Sequence, residues 1–183
     1  MIAFSQKALI LLEKTIGVIH LSNFDIFCFK QNQLYGSAIP QTSEDIEIIK
    51  ELGIKTIVSL TRDIGYFIDE KQLSKDFDHY EIYIPDGDIP TDSQVSQFIR
   101  LVEKANENEK PVLVHCLAGC GRTGVMLALA DRFIYGRESQ EAIPAIRKVR
   151  PCAIENPTQE KFVLTYQFPL RYQISQKLRK RIM

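Results

Sequence analysis

The sequence predicts an α/β fold with a mainly parallel central sheet flanked by helices on both faces. Short apolar runs of strand length alternate with amphipathic helical stretches, and after residue 136 helix follows helix. Parallel strands need crossover connections, so this alternation implies a sheet covered on both sides.

In chain order, Phe24 to Phe29 and Leu34 to Ser37 read as an opening hairpin. Thr42 or Ser43 can cap a helix that places Ile46, Ile49 and Leu52 on one face, and Gly53 can end it. Thr56 to Leu60 has the composition of a buried strand, and His79 to Ile84 alternates with strand period. Thr91 or Asp92 starts a helix carrying Val95, Phe98, Ile99 and Val102 towards Asn106. Pro111 to His115 is a second buried strand, and Thr123 to Tyr135 a helix closed by Gly136. Ser139 to Val149 is helical, with Pro144 delaying its start or bending it. Asn156-Pro157-Thr158-Gln159 is a helix start: a cap, a proline at the first position and Gln three residues after the cap. Pro169 should break or kink that helix.

A chain of 183 residues, 45% hydrophobic and 25% charged, fits one ordinary globular domain. We divide it into an N-terminal extension at 1–22, expected to be helical, and a single domain at 23–183 with a basic end, QISQKLRKRIM. In the extension the longest apolar run is Ala8 to Leu12, shorter than the roughly 7–15 residues of a secretory core or the ~20 of a spanning helix. An amphipathic helix packed on the domain is expected there. The 23 basic and 23 acidic residues cancel, so no global field favours nucleic acid or an anionic membrane. Four cysteines do not look like a disulfide framework, and a reducing, cytoplasmic location is expected.

One stretch carries chemistry: the apolar run ending at His115-Cys116, then LAGCG, then Arg122-Thr123-Gly124. Gly119, Gly121 and Gly124 match G-x-G-x-x-G, but a dinucleotide unit should continue helix, strand, acidic residue, and this chain continues with helices. Cys116 and Cys120 lack a second cysteine pair, and His20, His79 and His115 lack metal spacing, so neither metal nor cofactor is expected. No Gly-Lys-Ser/Thr is present for a Walker-type loop. An anion cradle fits every residue. A strand delivers Cys116 to a turn whose N–H groups and following helix N-terminus converge on one point. Glycines permit the curl, and the same field favours the thiolate. Arg122 can fork two oxygens of a tetrahedral dianion.

HCLAGCGRTG resembles the signature of the cysteine-dependent protein tyrosine phosphatases: His-Cys, five residues, then Arg-Ser/Thr-Gly. SNFDIFCFKQNQLYGSAIP, ELGIKTIVSLT, IYIPDGDIPT and RPCAIENPTQEKFV extend the likeness, from roughly Asn23 to Tyr172, to the small atypical dual-specificity phosphatases. The resemblance implies that Cys116 attacks phosphorus to form a cysteinyl-phosphate, which water then hydrolyses. Backbone amides of Leu117, Ala118, Gly119, Cys120, Gly121 and Arg122, with the Arg122 guanidinium, would hold the equatorial oxygens. Asp86 aligns with the general acid of the family's mobile loop, and Asp88 is the other candidate. Asp92 looks like a helix cap. Thr123 would donate to the departing sulfur and His115 would fix the loop. Gln159 would either place the hydrolytic water or serve only in the cap. Cys120 could form a reversible disulfide or protect oxidised Cys116; a small filler is the expectation, since two cysteines so close in a tight turn are hard to bridge.

No lysine lies between Cys116 and Arg122, which disfavours inositol lipids, and the short chain leaves no room for segments that deepen the pocket. Phosphorylated proteins are the expected partners: phosphotyrosine, with phosphoserine and phosphothreonine. An RNA 5′-triphosphatase, or a phosphate-binding pseudoenzyme, are the alternatives. Oligomeric state is not readable from the sequence.

Overall fold

The computed structural model of the protein describes residues 24–169, so the expected N-terminal extension and basic C-terminal end lie outside the described residues. The chain opens with β1 (Ile26–Lys30) and β2 (Leu34–Ser37), antiparallel, with Asn32 turning between them at φ 58. Then come α1 (Ser43–Glu51), β3 (Thr56–Ser59), a 3-10 turn (Asp63–Tyr66), α2 (Glu70–Asp76), β4 (Asp78–Glu81) and α3 (Asp92–Glu107). β5 (Val112–His115), α4 (Gly121–Phe133), α5 (Ser139–Val149) and α6 (Pro157–Thr165) complete the described chain. The five strands lie in the order β1-β2-β5-β3-β4. Every pairing is parallel except that of the hairpin.

The strand period of two builds a core on each face. Leu34, Val58, Val112 and Val114 pack with Phe98, Ile99 and Val102 of α3 and with α4, whose residues Gly121 to Asp131 are all buried. Tyr35, Ile57 and Leu113 point the other way, onto Ile46 and Ile49 of α1 and Leu73 of α2. The central strand β5 is therefore covered on both sides and buried along its whole length.

Capping follows the sequence at Thr42, Thr91 and Asn156, but Asp92, read as a cap, is the first residue of α3, and Thr91 before it takes the cap because its hydroxyl reaches Gln94 N–H. Thr42 accepts from the Asp45 amide while the Asp45 carboxylate accepts from Thr42 N–H, and Thr91 and Gln94 make the same reciprocal pair on α3. Asn156 caps α6 with Pro157 at its first position.

Four further expectations are corrected. The 3-10 turn and α2 were not anticipated between Leu60 and His79, because a seven-residue helix is too short to show a helical period. β4 ends at Glu81, although Ile82 and Ile84 N–H still bond the carbonyls of Ser59 and Leu60 at 2.9 and 3.1 Å. Pro144 sits inside α5 without delaying its start at Ser139. α6 stops at Thr165, where Tyr166 turns extended at ψ 133, before Pro169 can act.

Candidate active site

Cys116 leaves the end of β5 buried, only 3% exposed, and five residues later α4 begins. Three carbonyls of the intervening turn are engaged, two by groups outside it and one by the first turn of α4. Leu117 O accepts from Ile39 N at 2.9 Å, Ala118 O from Arg150 Nη2 at 2.7 Å, and Cys120 O from Gly124 N at 2.8 Å. A trans peptide points its N–H opposite to its C=O, and no peptide bond of the described chain is cis. The amides of Ala118, Gly119 and Gly121 are thereby turned to the inner side of the curl.

Two glycines are demanded by this geometry. Gly119 lies at φ 70, and a Cβ on it would meet the Ser37 backbone at 2.5 Å. At Gly121 a Cβ would fall 2.1 Å from Glu155 Oε2 and 3.1 Å from Gln159 Nε2, so the carboxylate of Glu155 and the amide of Gln159 crowd the first turn of α4.

Arg122 is buried, and its fork is divided: Nη1 donates to Ile84 O at 3.0 Å and Nη2 pairs with Asp86 Oδ1 at 2.7 Å. Asp86 sits in a turn closed by Asp88 N–H to Pro85 O at 3.2 Å, with Gly87 at φ 72 supplying the left-handed corner. Its carboxylate is 81% exposed. Asp88 contributes its backbone carbonyl, which accepts from Gln159 Nε2 at 3.3 Å, and Asn156 Nδ2 donates to Gly87 O at 2.9 Å. The α6 N-terminus thus docks on the Asp86 turn. Gln159 serves the cap, and its side-chain amide bridges two segments, Oε1 accepting from Glu155 N at 2.9 Å while Nε2 donates to Asp88 O. It is fully buried beside Gly121, and its amide N–H belongs to the Asn156 cap.

His115 points away from the turn. Burial pushes its pKa down to about 4, so the ring is neutral at pH 7. Nδ1 lies 3.0 Å from Cys116 O, a pure acceptor, so Nδ1 carries the proton and Nε2 accepts from the Ser59 hydroxyl at 2.8 Å. Ser59 Oγ in turn accepts from His79 Nε2 at 2.8 Å. A chain of three side chains from three neighbouring strands thus orients the carbonyl of Cys116. The Thr123 hydroxyl is buried and has no hydrogen-bond partner among the described residues. Leu117 is half exposed at the rim.

Cys120 corrects the sequence reading. It is neither a filler nor a partner for Cys116: it forms a disulfide with Cys152, and Cys28 and Cys116 are the free thiols. The expectation of a small filler at Cys120 fails because α5 returns the chain to the turn 32 residues later and only the fold brings the sulfurs together. Ser59, His79, Arg150, Cys152 and Glu155 also escaped the sequence reading, lying far from the signature in the chain.

The family model described as "Polymorphic toxin system, DSP-PTPase phosphatase" matches residues 33–131, more than half of the chain, and the chain belongs to this family of dual-specificity-type tyrosine phosphatases. Dual specificity protein phosphatase CDC14C of Homo sapiens is 32% identical over 120 residues, covering 65% of this chain and 26% of that protein. The tyrosine-protein phosphatase cdc-14 of Caenorhabditis elegans is 30% identical over 137 residues, 73% of this chain and 18% of its own length. The chain therefore spans about a quarter or less of the curated relatives it matches. Among solved structures, Tk-PTP in its active form superposes with a TM-score of 0.64 at 26% identity, covering 72% of this chain and 88% of that one. Among the described residues no helix is long and apolar enough to cross a membrane.

Proposed function

We propose that the chain hydrolyses phosphate monoesters on protein side chains, phosphotyrosine together with phosphoserine and phosphothreonine, through a cysteinyl-phosphate on Cys116. The observation that carries this reading is the junction of Arg122 with Asp86, 2.7 Å apart, over a turn whose Leu117 and Ala118 carbonyls bond outward. The relatives' names, dual specificity and tyrosine phosphatases, support the same class.

A phosphate dianion entering the curl replaces the Asp86 carboxylate on the Arg122 fork. The released carboxyl is then free to reach the leaving oxygen as the general acid. Cys116 thiolate attacks phosphorus in line, Asp86 protonates the leaving oxygen, and the inward amides with Arg122 hold the equatorial oxygens. In the second step Gln159 orients water, Asp86 takes its proton, and Thr123, whose buried hydroxyl has no other partner among the described residues, donates to the departing sulfur. Half-exposed Leu117 offers an apolar edge to an aryl ester. For location, the cytoplasmic reading implies a thiol pool able to open the Cys120–Cys152 bond.

Turnover of p-nitrophenyl phosphate in EDTA, sensitive to vanadate, is the test. Cys116→Ser should abolish it, and Asp86→Asn should lower kcat ~10²-fold or more for alkyl esters while sparing p-nitrophenyl phosphate. Phosphate binding without release would instead identify a binding module. Preference for an RNA 5′-triphosphate over phosphopeptides would reassign the substrate. If Asp88→Asn shows the leaving-group effect and Asp86→Asn does not, the acid is misassigned.

A further inference from the structure

The phosphate-binding turn is fastened along one side by a single segment, residues 150–155. Arg150 Nη2 holds Ala118 O at 2.7 Å, with its guanidinium anchored by Asp25 at 2.5 Å. Ile154 N–H reaches Cys120 O at 3.4 Å, and Gly124 packs so closely on Ala153 and Ile154 that a Cβ there would lie 2.9 Å from both. Between these polar contacts runs one covalent link, Cys120–Cys152.

The two sulfurs of this link are not equivalent. Cys152 is exposed in the turn after α5, whereas Cys120 is 7% exposed and is the N-cap of α4. We propose that Cys120–Cys152 is a thiol–disulfide exchange site for a dithiol reductant, and that its redox state sets how firmly the phosphate-binding turn is held. The proposal rests on the phosphatase reading of that turn only for its catalytic consequence.

The reductant's thiolate attacks Cys152 Sγ, the accessible sulfur, forming a mixed disulfide and expelling the Cys120 thiolate. That leaving group forms at a helix N-terminus, where amides and dipole stabilise an anion, so expulsion from this end is the favoured direction. The second thiol of the reductant then displaces the Cys152 thiolate. The pair gains two electrons and, with two protons, becomes two thiols, while the dithiol becomes a disulfide. Cys116 takes no part.

Reduction removes one of the fastenings. Arg150 still grips Ala118, so the loop loosens at its α4 end without unfolding. The expected result is a partial loss of catalysis, with the Arg122 end of the turn less well placed for the dianion. The oxidised form is thus the competent one, opposite in sense to oxidation of the nucleophile itself, which inactivates.

The test uses the full chain. Oxidised protein, denatured and alkylated with N-ethylmaleimide, should add two adducts, at Cys28 and Cys116, and reduced protein four. Reduction with dithiothreitol under nitrogen should lower kcat/KM for p-nitrophenyl phosphate several-fold and weaken vanadate inhibition in parallel. Cys152→Ala should sit at the reduced value and no longer respond. In a Cys116→Ser background, where the nucleophile cannot oxidise, amide hydrogen exchange over 117–124 should quicken on reduction. Four adducts before any reductant, or identical kinetics and exchange in both redox states, would overturn the proposal. Faster exchange on reduction in a protein that turns over no phosphate ester would leave the exchange site standing and sink the phosphatase reading instead.

Discussion

At the scale of single residues, the site depends on groups whose protonation is set by where they are buried. His115 is the clearest case. Its pKa falls from the ordinary 6.5 to about 4 on folding, with burial the largest cause. Above pH 6.5 the ring is neutral in both states and costs nothing. As pH falls through 6.5 towards 4 the unfolded chain takes up the proton first, so stability declines across that window, by about 3 kcal/mol for a shift of this size. Urea unfolding at pH 7.5 and 4.5 should show that loss in the parent. His115→Gln should be weaker at pH 7.5 yet lose less between the two pH values, and equal losses would refute the assignment. Thr123 makes a separate prediction. Thr123→Val should slow breakdown of the cysteinyl-phosphate more than its formation, giving a burst of p-nitrophenol that the parent lacks in rapid mixing.

The elements act mainly through their ends. α6 is capped by Asn156, whose Oδ1 accepts from Gln159 N at 3.0 Å and whose Nδ2 donates to Gly87 O at 2.9 Å. One side chain therefore starts the helix and pins the turn that carries Asp86. Asn156→Ala should cost about 1 kcal/mol of stability from the lost cap. It should also depress turnover of poor leaving groups more than of p-nitrophenyl phosphate. Asn156→Asp keeps the cap but sets a carboxylate against a carbonyl. Its unfolding midpoint should stay near the parent's while the leaving-group effect persists, and if both variants lose only stability the link to Asp86 is wrong. Signals of this scale were readable beforehand: the Thr42, Thr91 and Asn156 caps stand where Ser/Thr/Asn precede an acid or amide by three residues. α2 was not readable, since its seven residues give no period and its start is a single Asp69 bonding Lys71 N–H.

Across the whole molecule, a buried carboxylate ties three parts together. Asp131 of α4 has a side chain 1% exposed and pairs with Lys30 of β1 at 2.7 Å and with Arg137 beyond the helix. Lys30 also lies over the Tyr135 ring, 4.7 Å from its centroid. Removing both cations would strand the carboxylate in the core face that α4 shares with the sheet. Lys30→Met with Arg137→Met should therefore cost about 3–5 kcal/mol. Adding Asp131→Leu should restore much of the loss, and a triple variant no more stable than the double one would show that packing rather than charge is responsible.

The sequence by itself determined the order of strands and helices apart from the 3-10 turn and α2, most helix starts, and the Cys116 to Thr123 turn with Asp86 and Gln159 as its expected companions. Those features are local, being written in side-chain period, caps and a ten-residue motif, or in motifs of that size that match a known family. Only the tertiary structure decided that Ser59 and His79 orient His115, that Arg150 and Asp25 hold the turn from outside, and that Cys120 bonds Cys152 rather than standing as a filler. Each of those contacts joins residues between 20 and 125 positions apart, brought together by parallel pairing of β3, β4 and β5 and by the return of the chain through α5. Their spacing along the chain is set by the lengths of crossovers and helices, which carry no mark of which side chains will finally meet.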